Sequence, residues 1–360
     1  MPHPPTHNIT YSHDRLSALQ AQRLAQEISF GPIVFQVSRL MIKFGILELL
    51  ANHKDGLTQE EVVQHTGLSN YAVQVLLESS LTIGSILLNN HKYTISKTGW
   101  FLLNDPMARV NMDFNHNVNY LGMFDLEDAL RNGKPEGLKV FGEWPTIYEG
   151  LSQLPPQVQK SWFAFDHFYS DHSFDDALTI VFAQKPKTVL DVGGNTGRWS
   201  LRCVDYDPDV QVTIMDLPQQ LELMQNNIKG RSGAERIHGY GANLLDCKVP
   251  FPQPFDVIWM SQFLDCFSQD EVISILLRAA RSMMPHTRLY IMETFWDRQK
   301  FETASYCLTQ ISLYFTAMAN GNSKMYHSSD MEQCVQSAGL RVEEIHDGLG
   351  LGHSIMIVKL

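Results

Sequence analysis

Hydrophobic positions along this chain fall into two regimes. In the first third they recur at helical spacing, and the stretch from Ile33 to Leu50 predicts one apolar-rich helix. Gly56-Leu57-Thr58-Gln59-Glu60-Glu61 carries the start of a second, with Thr58 as N-cap and Glu61 three residues later as its capping-box partner. Leu68-Ser69 then opens a third over Asn70 to Ile83. Ile86-Leu87-Leu88 and Lys92-Tyr93-Thr94-Ile95, separated by Asn89-Asn90-His91, predict strand, turn, strand. Helix, helix-turn-helix and hairpin make a winged helix.

The second half changes character. Short apolar runs, Thr188-Val189-Leu190, Gln211 to Met215, Phe255 to Met260 and Arg288 to Glu293, predict strands. Between them Arg198 to Asp205 and Gln269 to Met284 are helix-compatible. Two last strands, Arg341 to Ile345 and Ser354 to Lys359, flank Gly348-Leu349-Gly350-Leu351-Gly352 and would give the sheet an antiparallel edge. The expected organisation is a helical N-terminal domain over 1–105, a helical connector over 106–187 rich in aromatic residues, and an α/β domain over 188–360.

Composition narrows the class. A chain of 360 residues exceeds one ordinary core, and 44% hydrophobic with 19% charged residues is a globular balance. The start, Met1 to Arg15, is polar, and nowhere do eighteen uncharged apolar residues run together, so export and membrane insertion are not expected. Five scattered cysteines with no C-x-x-C pair suggest reduced thiols in a cytoplasmic protein, with no metal site. The formal charge of −11 disfavours a nucleic-acid partner. Between Leu57 and Asn90 there is no Lys or Arg, while Glu60, Glu61 and Glu78 lie on the two helices, so a phosphate backbone would be repelled. The apolar stripe of Val34, Leu40, Ile42, Phe44, Leu47 and Leu50 exceeds what so small a domain can bury alone, which points to a homodimer through the N-terminal domain.

The most informative segment is Asp191-Val192-Gly193-Gly194-Asn195-Thr196-Gly197. A strand running into a Gly-rich turn and then a helix is how an open α/β sheet builds a nucleotide pocket, because glycines let the ligand approach the backbone. About twenty residues on, the next apolar run ends at Asp216, placed to accept hydrogen bonds from ribose hydroxyls. The glycine spacing departs from G-x-G-x-x-G. It resembles the first motif of the class I S-adenosylmethionine methyltransferases, and Asp216-Leu217-Pro218 matches the D-L-P of their plant-type and acetylserotonin-type small-molecule O-methyltransferases.

That resemblance covers nearly the whole chain. It implies a Rossmann-like methyltransferase domain of mostly parallel sheet with an antiparallel C-terminal strand, an N-terminal winged-helix dimerisation domain, S-adenosylmethionine as cofactor and a small, hydroxyl-bearing, aromatic acceptor. Asp191, Gly193, Gly194 and Gly197 would hold the methionine part, Asp216 and Leu217 the ribose, and Asn243 and Leu244 the adenine, with Ser261 where the family has a lysine. The stretch Phe165 to Ser173 resembles the family's F-N-x-x-M-S-D-H-S, so Ser173 would touch the cofactor carboxylate and Phe165 wall the acceptor pocket, with Tyr169 in place of a methionine. His172, Phe263 and Met318, the last on an apolar helix over Thr303 to Met318, complete the expected pocket.

The family's base is the His of L-H-D-W-S-D-E; here the segment reads Leu264-Asp265-Cys266-Phe267-Ser268-Gln269-Asp270-Glu271, so Asp265 stands in its place. An ordinary Asp has pKa about 3.9 against about 6.5 for His, roughly 3.5 kcal/mol less driving force, which burial among Phe263, Phe267 and neighbouring aromatics would partly recover. Glu293 matches the family's supporting acid, and Met325 falls near its second. Asp265 is thus the candidate base, oriented by Glu293, with His327, His172 and Tyr326 as further acid/base candidates; alternatively Asp265 only caps the helix beginning near Ser268. Loss of the family's His leaves open different chemistry, such as carbon or thiol methylation, decarboxylation or hydroxylation, and a non-catalytic dimeric binding protein.

Overall fold

A computed structural model describes residues 11–252 and 255–360. The chain forms two compact units, one spanning His13–His116 and a larger one that includes Asn117–Leu360.

The smaller unit begins with α1 (Ala18–Ser29), α2 (Gly31–Lys43) and α3 (Ile46–Asn52). The single helix expected over Ile33 to Leu50 is therefore two: Gly45, left-handed at φ 71°, breaks it after Phe44. The helices α4 (Gln59–Thr66) and α5 (Asn70–Ile83) start as expected, the first with a complete Thr58/Glu61 capping box and the second with Ser69 as cap. Strands β1 (Ile86–Asn89) and β2 (Lys92–Ile95) pair antiparallel about a turn with Asn90 and His91 both at positive φ, as a tight two-residue hairpin requires. Helices α6 (Lys97–Asn104) and α7 (Pro106–Phe114) follow. The core gathers Met41, Ile46, Leu47, Val62, Leu77 and Ile86, whereas α1 buries no side chain at all.

The larger unit opens with helices α8 (Leu126–Asn132), α9 (Ile147–Gly150), α10 (Pro156–Asp171) and α11 (Phe174–Val181). Alternating strands and helices then follow: β3 (Thr188–Val192), α12 (Arg198–Tyr206), β4 (Gln211–Asp216), α13 (Pro218–Ile228), β5 (Ile237–Gly241), β6 (Val257–Ser261), α14 (Gln269–Ser282) and β7 (Arg288–Glu293). After α15 (Glu302–Tyr314) and α16 (Ser328–Ser337), β8 (Arg341–Leu349) and β9 (His353–Lys359) close the chain, both longer than expected.

Seven strands form one sheet in the order β5-β4-β3-β6-β7-β9-β8. The first five are parallel; β9 runs antiparallel to β7 and β8 to β9, as the sequence pattern predicts. Period-two alternation sends Leu190, Ile258, Met260 and Ile291 to one face and Val189, Val257, Trp259 and Tyr290 to the other, each packed into its own core. On the second face Trp259, fully buried, stacks on Trp199 of α12 with ring centroids 4.3 Å apart. The order reverses between β3 and β6, which leaves a crevice at the carboxyl ends of these strands.

Candidate functional site

Every strand that borders the crevice ends in, or leads into, a residue singled out from the sequence. β3 leads into the glycine turn, β4 ends at Asp216, β5 precedes Asn243, β6 ends at Ser261 and β7 at Glu293. This follows from the parallel topology, which puts all five carboxyl ends on one edge.

In the turn, Gly193 and Gly197 are left-handed at φ 73° and 78°, and Asn195 shares that region at 49°. A Cβ on Gly193 would stand 2.3 Å from the Phe263 ring, and one on Gly194 would stand 2.7 Å from Asp191 Oδ2. The Asn195 N–H donates to Asp216 Oδ2 at 2.8 Å and the Leu217 N–H to Oδ1 at 2.7 Å. Burial raises the Asp216 pKa from its ordinary value, and those two N–H groups oppose the rise. Asn195 also reaches α10, its Nδ2 lying 3.4 Å from Asp166 Oδ2.

Several expected contacts are redirected. Asp191 is buried beneath Gly194 and accepts the Ser200 hydroxyl at 2.6 Å, so it braces the turn from below. Burial pushes it up to about 7. Ser173 is likewise inside, 2.7 Å from His353 Nδ1, and the side chain of Leu244 belongs to the core. Asn243 is exposed, and its Oδ1 accepts the Leu245 N–H at 3.0 Å.

The chemical end is built around Glu293. Its Oε1 accepts the N–H groups of Phe263 at 3.1 Å and Leu264 at 2.9 Å, fixing the tight turn Leu264–Cys266 that follows left-handed Gln262. Glu293 thus holds Asp265 through the main chain. The Asp265 carboxyl is buried, with the Cys266 thiol donating to its Oδ1 at 3.5 Å. Burial lifts Asp265 to about 6, and Glu293 is pushed well above the carboxylate range by burial and by the charge of Asp265. Ser268, in a capping box with Glu271, caps α14, so Asp265 is not that cap.

Other groups support the same turn. Asn320 Nδ2 donates to the Cys266 carbonyl, and Tyr326 donates its hydroxyl proton to the Phe267 carbonyl at 2.6 Å. Met325, where a second acid would fall in the family, places its sulfur 3.5 Å from the Thr294 hydroxyl. Asp166, on α10, is raised to about 7 by burial and then by the charges of Asp265 and Asp171. Asn320 carries no sequence signal, since it acts through tertiary neighbours, whereas Asp166 stands in the Phe165–Ser173 segment where the family motif has Asn.

Three expected residues lie elsewhere in use. His327 caps α16, its Nδ1 accepting the Ser329 N–H at 3.1 Å, and its ring packs on Trp296. His172 is exposed at the end of α10, its Nδ1 2.7 Å from the Phe168 carbonyl. Met318 is fully buried, its sulfur 2.0 Å from where a Cβ on Gly122 would be, so it fills the space that glycine leaves. Phe165 and the buried Tyr169 pack ring against ring at a tilt of 52°, centroids 5.0 Å apart.

Around the turn, Asn195 Oδ1 and Gln262 Oε1 are buried acceptors with no hydrogen-bond partner among the described residues. Unpaired buried acceptors are costly, and a ligand rich in donors relieves them. With the bare-backbone glycine turn and the Asp216 carboxylate beside them, they fit S-adenosylmethionine, whose ammonium, ribose hydroxyls and adenine amine are all donors.

Comparison with known proteins agrees. Residues 123–341 match the O-methyltransferase domain family and residues 22–93 the Dimerisation2-like domain family. The L-tyrosine C(3)-methyltransferase of Streptomyces lavendulae is 22% identical over 320 residues, 88% of this chain and 86% of that protein. The demethylspheroidene O-methyltransferase of Rhodobacter capsulatus is 24% identical over 327 residues, 91% of this chain and 78% of that protein. The solved structure of the S-adenosylmethionine-dependent methyltransferase SibL superposes with a TM-score of 0.69 at 22% identity, covering 92% of this chain and 97% of its own.

Proposed function

This chain belongs to the S-adenosylmethionine-dependent O-methyltransferase family, and on that premise we propose that it methylates a hydroxyl of a small aromatic molecule with Asp265 as the base. S-adenosylmethionine supplies an activated methyl group on sulfonium sulfur. The protein's part is to hold the acceptor oxygen in line with it, worth about 7–11 kcal/mol, and to remove the hydroxyl proton. The glycine turn, Asp216 and Asn195 would hold the nucleoside, and Gln262 the donors beside the turn. Asp265 would take the proton on its carboxylate, and Glu293 would position it through the turn at Phe263 and Leu264.

The observation that carries this reading is the buried Asp265 carboxyl at the carboxyl end of β6, raised to about 6. A base poised there is ionised at neutral pH yet basic enough to share a phenolic proton. Asp265→Asn is expected to lower kcat about 10²–10⁴-fold with a phenol panel and leave S-adenosylhomocysteine binding intact by calorimetry, with NADH as the non-binding control. The wild-type rate should rise as pH climbs through about 6, because the ionised form is the active one. Unchanged turnover in the Asn variant would remove Asp265 from the chemistry and favour carbon methylation, the reaction named for the Streptomyces lavendulae relative.

Further features extend the reading. The winged-helix arrangement of α4, α5 and the β1–β2 hairpin serves as a dimerisation module over 1–105, joined by the connector 106–187 to the catalytic part 188–360. A homodimer is supported by α1 and its neighbourhood, which leave Leu19 at 79%, Ile28 at 70% and Ile33 at 59% exposed. Sedimentation should give twice the chain mass. The absence of Lys and Arg between Leu57 and Asn90 speaks against nucleic acid as partner, and a low-salt gel shift tests it. A cytoplasmic location accords with five free thiols. Among the described residues no helix is long and apolar enough to cross a membrane.

A further inference from the structure

We propose that the acceptor site selects uncharged acceptors that carry a carbonyl oxygen besides the reacting hydroxyl, and that the Tyr148 hydroxyl is the donor that positions that oxygen. The proposal rests on the reading above that Asp265 faces the acceptor, and it adds the acceptor's chemical class.

Tyr148 lies on α9, and its hydroxyl is shielded from water, with the Cys266 sulfur beside it and no oxygen or nitrogen partner among the described residues. Its neighbours are the Cys266 thiol, Tyr314 and Asp265. The thiol is a weak acceptor at best and is already turned to Asp265 Oδ1. Burial holds the Tyr148 phenol protonated, so it offers a proton and lacks a good oxygen to receive it. Tyr314 accepts the Trp162 indole N–H at 2.7 Å and sits within the fields of Cys266, Asp166 and Asp265. Two phenols and a thiol therefore lie near the candidate base.

Charge decides what oxygen belongs there. Burial raises Asp166, Asp265 and Glu293, and the charge of Asp265, ionised at neutral pH, raises Asp166 and Glu293 further. The guanidinium that acts on Asp166 is that of Arg198, already paired with Asp171. An acceptor bearing its own carboxylate would add a further negative charge beside Asp265 and be repelled by it. A ketone or quinone oxygen accepts the Tyr148 proton and brings no charge.

The test uses full-length protein saturated with S-adenosylhomocysteine and ligand-observed NMR at millimolar probe. The probes are phenol, 2- and 3-hydroxyacetophenone, and 2- and 3-hydroxybenzoate. One hydroxyacetophenone should bind about two- to tenfold more tightly than phenol, and its hydroxybenzoate counterpart more weakly than either. Tyr148→Phe should abolish the ketone's advantage over phenol while phenol and S-adenosylhomocysteine still bind. Asp166→Asn should regain part of the hydroxybenzoate affinity. Benzoates binding as tightly as ketones, a ketone advantage that survives Tyr148→Phe, or no ketone binding would each overturn the proposal. Loss of S-adenosylhomocysteine binding by the wild-type protein would instead overturn the reading of the site on which it rests.

Discussion

The main-chain N–H of Asn195 donates to the carboxylate of Asp216 at 2.8 Å, so the left-handed residue of the glycine turn and the acid closing the next strand form one unit. Nucleoside binding to either should therefore be felt by both.

Asp216→Ala removes the acceptor for two N–H groups as well as the acid offered to ribose. Calorimetry should show S-adenosylhomocysteine affinity falling by about tenfold or more, since charge-assisted bonds are worth about 1.5–3 kcal/mol. Unaltered affinity would mean that the turn holds the ligand without Asp216.

Gly194→Ala tests the packing under the turn. The new methyl would stand 2.7 Å from Asp191 Oδ2 and 2.9 Å from Ile214, both buried, so the turn must lift. A loss of about 1–3 kcal/mol in urea unfolding is expected, with weakened cofactor binding. Gly193→Ala should be worse, because positive φ adds strain to a 2.3 Å clash with Phe263.

Asp191 gives the protein a pH-dependent stability. Its folded pKa, about 7, lies above the ordinary unfolded value near 3.9, so its contribution is full below about pH 4 and is lost as pH rises through 7. The difference amounts to at most about 4 kcal/mol. Asp191→Asn, which still offers an oxygen to Ser200, should flatten this dependence; melting temperatures at pH 5 and pH 8 measure it. A wild-type protein equally stable at both would show that Asp191 does not titrate there.

His327 separates a structural histidine from a catalytic one. As an N-cap it is worth about 0.5–2 kcal/mol, so His327→Ala should lower the melting temperature and leave kcat within about twofold once cofactor and acceptor are saturating. A hundredfold loss of kcat would return it to the chemistry.

Local signals were legible in the sequence wherever a short-range interaction decides the outcome. Thr58 with Glu61, Ser69, the Asn90-His91 turn, the strand ending at Asp216 and the one ending at Glu293 all lie where the pattern puts them, because caps, turns and strand periodicity depend on a few neighbouring residues. The glycine turn was legible for the same reason. Gly45 was not read as a helix break, since an isolated glycine inside an apolar run carries little signal until its φ is known.

Direction of side chains was decided by tertiary structure. Asp191 and Ser173 sit in motif positions yet turn inward, to Ser200 and His353, because the packing around α12 and β9 leaves them buried and a buried polar group takes the partner within reach. Asp265 and His327 are both candidate proton acceptors in the sequence, Asp265 the first of them. Only the fold places one at a helix start and the other, through Glu293, on a buried turn where its pKa rises. Pattern and motif thus determined the fold class, and the family resemblance the motifs carry gave the cofactor and the class of reaction. Which groups face the reacting atoms depended on contacts between residues tens to hundreds of positions apart, such as Trp162 with Tyr314 and Asn195 with Asp166, and these exist only once the sheet and the helices above it have packed.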